Sequence, residues 1–139
     1  MATDNPVGVT FVLLKPSDKI LISQRNDGNG KKIPFPNTWC FPGETIEAGE
    51  TPIEAVLRGG PEEFDIEIKK NDCVELCRYV HGGALDVVFV CRVIEDTKGN
   101  LKEGQDMKWV NLEVVKSMKL GWDQDEILPI LEKFMKLSK

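Results

Sequence analysis

The order of apolar runs along the chain predicts an α/β fold, a mixed β-sheet with helices packed on its faces. Three observations carry this. Two short apolar runs open the chain, a loop and a capped helical segment follow, and two longer runs flank a Gly-Gly pair before the closing helices. The 139 residues suffice for one domain with its own core and are few for two, so residues 1–139 are read as a single domain.

After a short leader, Val7–Leu14 reads as a buried strand and LysProSerAsp at 15–18 as a turn. Ile20–Ser23 is a second strand, expected to pair antiparallel with the first. Asn26–Thr38 is rich in Gly, Pro and Asn and reads as a long loop, a common place for ligand contacts. Thr51 is a natural N-cap, with Pro52 at the first helical position and Glu54 at the third. Ile53, Val56 and Leu57 follow at helical spacing and should face the core. Asp72–His81 and Ala84–Val93 read as strands joined by a Gly82-Gly83 hairpin. Thr97–Gln105 is a polar loop, Met107–Val110 a short strand and Leu112–Met118 a short helix. Asp123–Leu137 reads as an amphipathic closing helix in which Pro129 marks a later start or a kink.

A formal charge of −5 argues against sequence-independent binding of a nucleic-acid polymer. The first apolar run is far shorter than the roughly 20 residues a membrane span needs, and no cleavable signal is visible. Cys40, Cys73, Cys77 and Cys91 form no CxxC pair and read as buried, reduced thiols, which fits a cytoplasmic location.

The informative stretch is Trp39–Ile66. A Pro42-Gly43 turn and an acid-rich loop lead into a helix-like segment carrying Arg58 and Glu62-Glu63. If residues 51–65 were one helix, positions 59, 62 and 63 would share a face. Carboxylates there, opposite a loop carboxylate, suit a hard divalent cation beside a phosphate. A Glu-Glu pair alone is more often a solvated helix surface.

The wider pattern resembles the Nudix hydrolase family, of the MutT-like type. Its box, GX5EX7REUXEEXGU with U a bulky aliphatic, is met here by Glu50, Arg58, Glu62, Glu63 and Ile66, behind Pro42-Gly43. Glu47, Gly49, Thr51 and Ala55 also match common fillings, and GluGlyGln at 103–105 and Trp109 resemble the MutT-type loop and strand. The resemblance implies an α/β/α sandwich, Mg²⁺ or Mn²⁺ dependence and hydrolysis of a nucleoside diphosphate linked to another group. It implies Glu62, Glu63 and Glu103 as metal ligands or base, with the Gly43 carbonyl as a further ligand, and Glu50 paired with Arg58 as a brace. Arg25 or the loop lysines, Lys32 among them, would steady the anion. The alternative for the lysines is plain solvation. Trp39 or Gln124 would meet the base, unless Trp39 is core. The expected partner is a small nucleotide, with neither nucleic acid nor membrane, and a homodimer stays open.

Four box positions depart: Glu44, Gly59 and Gly60, and Asp65. Gly59 stands where the family carries a metal-binding glutamate that often serves as base, and the loss of such a base costs about two to four orders of magnitude in rate. If only that carboxylate is missing, restoring a glutamate at 59 is expected to raise activity. Two glycines and a proline inside a helix cost about 5 kcal/mol relative to alanines, so the helix is expected to end or distort near Arg58. A new turn would then start at Gly60-Pro61; the alternative is that packing enforces one continuous helix. Glu44 reads either as a surface change or as an intrusion where glycine approaches the ligand. Two functions stay open: a hydrolase of reduced activity, and a catalytically impaired Nudix-fold protein that binds a nucleotide or partner.

Overall fold

Val7–Leu14 is apolar at nearly every position, which suits a strand covered on both faces. In the computed structural model, which describes residues 5–28, 30–102 and 104–138, this run is the central strand β1 (Gly8–Leu14). It pairs antiparallel with β2 (Ile20–Gln24) and β4 (Gly43–Thr45). It pairs in parallel with β6 (Ala84–Arg92), Gly8 opposite Asp86 through to Leu14 opposite Arg92. Strands β3 (Trp39–Cys40) and β7 (Asp106–Val110) flank β2, and β5 (Cys73–His81) flanks β6. The result is a mixed sheet of seven strands among the described residues. The Gly-Gly hairpin forms as expected. Gly82 and Gly83 have φ of 55° and 80°, the left-handed backbone that matches the twist of a two-residue hairpin.

Side-chain alternation along β1 and β6 divides the core into two layers. Val9, Phe11 and Leu13, with Val87 and Phe89, face α1 (Pro52–Phe64), which contributes Ala55, Val56 and Phe64. Val12, Leu14, Val88 and Val90 face the other side. They are covered by Val115 of α2 (Leu112–Lys116) and by Leu131 and Met135 of α3 (Leu128–Leu137). The architecture is an α/β/α sandwich. The closing helix takes the later start: Gln124–Ile127 form a 3-10 turn, and Pro129 falls in the first turn of α3, where its missing N–H costs no helical bond. Among the described residues, no helix is long and apolar enough to cross a membrane.

The expected break at Arg58 does not occur. Helix α1 runs unbroken through Gly59, Gly60 and Pro61. At its start Thr51 Oγ1 accepts from the Glu54 N–H at 3.3 Å, and Glu54 Oε1 accepts from the Thr51 N–H at 2.8 Å. At its end Asp65 takes the left-handed conformation, φ 56°, where the family box has glycine. The N–H groups of Asp65 and Ile66 close on the carbonyls of Pro61 and Gly60, at 3.1 and 3.2 Å. Between these caps Val56 and Phe64 are fully buried and Ile53 and Leu57 partly so. Each fully buried apolar side chain contributes about 1.5–3 kcal/mol, enough together to offset the intrinsic cost of the Gly-Gly-Pro run. The two glycines are themselves packed. A Cβ on Gly59 would lie 3.3 Å from the Phe11 ring, and one on Gly60 would lie 2.7 Å from the Ile66 carbonyl oxygen. Close approach, of Gly59 to the sheet and of Gly60 to the segment that follows the helix, rather than chain breakage, is their role.

The cysteines also differ in part from expectation. Cys40 and Cys91 are buried, but Cys73 and Cys77 are half-buried because β5 is the edge strand.

Candidate active site

Arg58, on the second turn of α1, organises the loop that precedes the helix. Its Nε and Nη2 donate to the two carboxylate oxygens of Glu50, both at 2.9 Å, and Nη2 also donates to the Thr45 carbonyl at 2.7 Å. Such a bidentate pair fixes both position and orientation. The Arg58 hydrogen bonds, reinforced by the Glu47 N–H, pull the Glu50 carboxyl down to about 2. Glu47, Glu44 and Glu62 also reach the guanidinium, at 3.0, 3.4 and 3.2 Å. The expected brace of loop against helix is in place.

Beside this brace opens a cavity of about 470 Å³. One wall is acidic and backbone-rich: Gly43, Glu44 and Glu63. Glu63 points its Oε2 where solvent does not reach. Gly43 lies so close to β1 that a Cβ there would sit 3.1 Å from the Val9 carbonyl. The lining also carries aromatic and polar groups: Tyr79, His81, Asp86 and Trp122. Arg25 lines the cavity as well, its Nε donating to the Pro34 carbonyl at 2.8 Å and its guanidinium 5.2 Å from the centre of the Trp122 ring.

The structure separates some of the residues that the sequence grouped. Glu63 lines the cavity; Glu62 does not, and its side chain is 58% exposed and bound to Arg58. Lys32 is exposed and away from the cavity wall. Trp39 takes its core reading. It packs against the layer of α2 and α3 with Lys108 over its ring, while its neighbour Cys40 faces the cavity, as alternation along a strand requires. Gln124 does line the cavity, but it is 2% exposed and its Oε1 accepts from the Phe41 N–H at 2.7 Å, which ties the last segment to the sheet. Glu103 lies outside the described residues. Its neighbours run past the site: the Lys102 N–H donates to the Glu63 carbonyl at 2.8 Å, and Gly104 lines the cavity.

The aromatic wall was not singled out from the sequence. Trp122 adopts a left-handed φ of 59°. Its carbonyl accepts from Tyr79 Oη at 3.0 Å, and Phe35 and His81 lie 4.8 and 6.1 Å from its ring. Below it Asp86 is 6% exposed, accepts from Thr10 Oγ1 at 2.6 Å and lies 3.8 Å from His81 Nε2. Burial raises the Asp86 carboxyl above its ordinary range, with Thr10 and His81 opposing. A carboxylate inside the apolar run AlaLeuAspValValPheVal was the available signal, because charged residues are rarely buried without a partner.

Among the described residues, no three His, Cys, Asp or Glu side chains gather closely enough to hold a metal by themselves. Mg²⁺ does not need such a cage. It commonly takes one or two carboxylates and fills its other positions with water and substrate phosphate. Glu63 and Glu44, beside the Gly43 backbone, are hard oxygen donors of this kind, so the wall fits that cation.

The comparisons agree with this geometry. The NUDIX domain model matches residues 4–131. An ADP-ribose pyrophosphatase of Methanocaldococcus jannaschii is 29% identical over 127 residues, covering 88% of this chain and 70% of that protein. A MutT protein from Methanosarcina mazei Go1 shares the fold with a TM-score of 0.73, at 18% identity over 98% of both chains. The NUDIX domain of Shewanella oneidensis NrtR, solved with ADP ribose, does so with a TM-score of 0.71, at 21% identity over 94% of this chain and 88% of that one. With a family match spanning nearly the whole chain and a fold, brace and cavity that accord with it, this protein belongs to the NUDIX family.

Proposed function

We propose that this chain is a divalent-cation-dependent hydrolase that cleaves the diphosphate linkage of a nucleotide derivative, with a nucleoside diphosphate sugar such as ADP-ribose as the first candidate. The observation that carries the reading is the cavity, whose lining brings carboxylate and backbone groups together with aromatic rings and Arg25. The ADP-ribose pyrophosphatase similar to this chain, and the NrtR domain solved with ADP ribose, favour that substrate class.

In this reading the nucleobase lies against Trp122 and Tyr79, and the diphosphate lies along Gly43 and Glu63. Mg²⁺ or Mn²⁺, held by Glu63 beside the Gly43 backbone, supplies charge neutralisation of the phosphate oxygens and acidification of water. Arg25 offsets phosphate charge. Arg58 and Glu50 hold the loop so that Gly43 and Glu44 keep their place against α1. Glu62 belongs to this brace. Residues 1–139 work as one domain.

The test is incubation with Mg²⁺ or Mn²⁺ and a panel of ADP-ribose, dinucleoside polyphosphates and nucleoside triphosphates, with products separated by ion-exchange chromatography. Formation of AMP and ribose 5-phosphate from ADP-ribose is the expected result. No product from any member overturns the hydrolase. A second reading, a nucleotide-binding protein without turnover, is favoured by the absence of a side chain at Gly59. Tight ADP-ribose binding with no product would establish it.

A further inference from the structure

Two departures from the family box, Glu44 and Gly59, are far apart in sequence but touch in space. A Cβ built on Gly59 would lie 3.4 Å from Glu44 Cβ and 3.3 Å from the Cε1 and Cζ atoms of Phe11. Phe11 is fully buried in the core, so its ring has little room to give. The space into which a side chain at 59 would project is therefore the space in which the Glu44 side chain starts. Where the box has glycine at the strand and glutamate on the helix, this chain has the reverse.

The Glu44 side chain is also placed to act. Glu44 pairs with Val9 in the β1–β4 ladder, lies next to Gly43, and shares the cavity wall with Glu63. Its Oε1 is 3.4 Å from Arg58 Nη1 and accepts from the Thr45 N–H at 3.3 Å, which orients the carboxylate. The side chain is 20% exposed, so an ion entering the cavity can reach it.

We propose that Glu44 and Gly59 form a matched pair: the carboxylate missing from the helix is presented from β4 instead, and Glu44 with Glu63 forms the carboxylate pair that holds the divalent cation at the diphosphate. The inference rests on the diphosphate-hydrolase reading above and assigns a residue to it. It also explains the glycine at 59, which makes room for Glu44. A glutamate restored at 59 alone would meet Phe11 and Glu44 rather than fill a vacancy.

The test reads metal binding apart from turnover. Mn²⁺ uptake is followed by electron paramagnetic resonance, with and without the non-hydrolysable α,β-methylene-ADP, in the wild type, Glu44→Gln, Gly59→Glu and the double exchange Glu44→Gly/Gly59→Glu. Melting temperatures are recorded for each. Glu44→Gln keeps the side-chain volume and the contact with Arg58, and its Mn²⁺ dissociation constant is expected to rise at least about tenfold. The double exchange is expected to bind Mn²⁺ within about threefold of the wild type, the non-additive signature of side chains in contact. A Glu44→Gln protein that melts lower but binds Mn²⁺ as tightly as the wild type makes Glu44 a partner of Arg58 only, and overturns the inference. So does a single Gly59→Glu protein that binds Mn²⁺ more tightly than the wild type. A wild type that takes up no Mn²⁺ beyond what the analogue itself binds overturns the cation-dependent reading of the site, not the pairing alone.

Discussion

Gly60→Ala is the sharpest probe of why α1 tolerates its glycines. Helix propensity by itself favours alanine by about 1 kcal/mol. The structure reverses the sign. A Cβ at 60 would lie 2.5 Å from Ile68 Cδ1 and 2.7 Å from the Ile66 carbonyl oxygen. The Ile68 side chain can turn aside, although it is buried. The Ile66 backbone has less freedom, because its own N–H is tied to the Gly60 carbonyl at 3.2 Å. Overpacking of this kind costs about 1–3 kcal/mol, and contact with backbone puts it at the upper end. The net loss is about 2 kcal/mol, or roughly 6–8 °C in melting temperature for a chain of this size. Gly59→Ala meets only side chains, at 3.3–3.4 Å, and should fall within about 1 kcal/mol of the wild type. Thermal and urea unfolding followed by circular dichroism measure both. A Gly60→Ala protein as stable as the wild type would refute the close-approach explanation and with it the account of the unbroken helix.

Other expectations follow from the brace and the aromatic wall. The folded Glu50 carboxyl is depressed from 4.5 to about 2, so its contribution to stability is present above pH 4.5 and is lost as pH falls toward 2. Glu50→Gln should therefore lower the melting temperature at pH 7 and flatten its decline between pH 4.5 and 2, as read by melting curves across that range; an unchanged acid limb would contradict the pairing. Trp122→Ala should raise KM for a nucleotide substrate about tenfold or more with a smaller effect on kcat, since a stacked base is worth about 1–3 kcal/mol. Equal KM values for the two proteins would move the base elsewhere.

The sheet and both helical layers were legible in the sequence because their signals are local. Long apolar runs, a Gly-Gly hairpin and the Thr51–Glu54 capping box each fix an element within a few residues. Strands β3 and β4, of two and three residues, were not, because so few side chains show no period. The helix through Gly59–Pro61 was misread for a related reason. Local propensity speaks against it, and only the packing of Val56, Phe64 and Gly59 against the core, with Gly60 against the segment after the helix, reverses the balance. In the site, the Glu50–Arg58 brace was legible only through the family resemblance. Which tryptophan faces the cavity was not. Trp39 is turned away by strand alternation, and Trp122 is brought in by a left-handed turn that no residue type at that position announces. The Glu44–Gly59 contact joins β4 to α1 and is invisible without the fold.

The proposed cleavage of a diphosphate in this cavity depends on Glu63 as the holder of the divalent cation. The most direct measurement is the steady-state rate of ADP-ribose hydrolysis with Mg²⁺ for the wild type and Glu63→Gln, with melting temperatures to confirm equal folding. AMP and ribose 5-phosphate are expected from the wild type, with a loss of at least about a hundredfold in kcat/KM for the variant. A well-folded Glu63→Gln protein that hydrolyses ADP-ribose at the wild-type rate would contradict it.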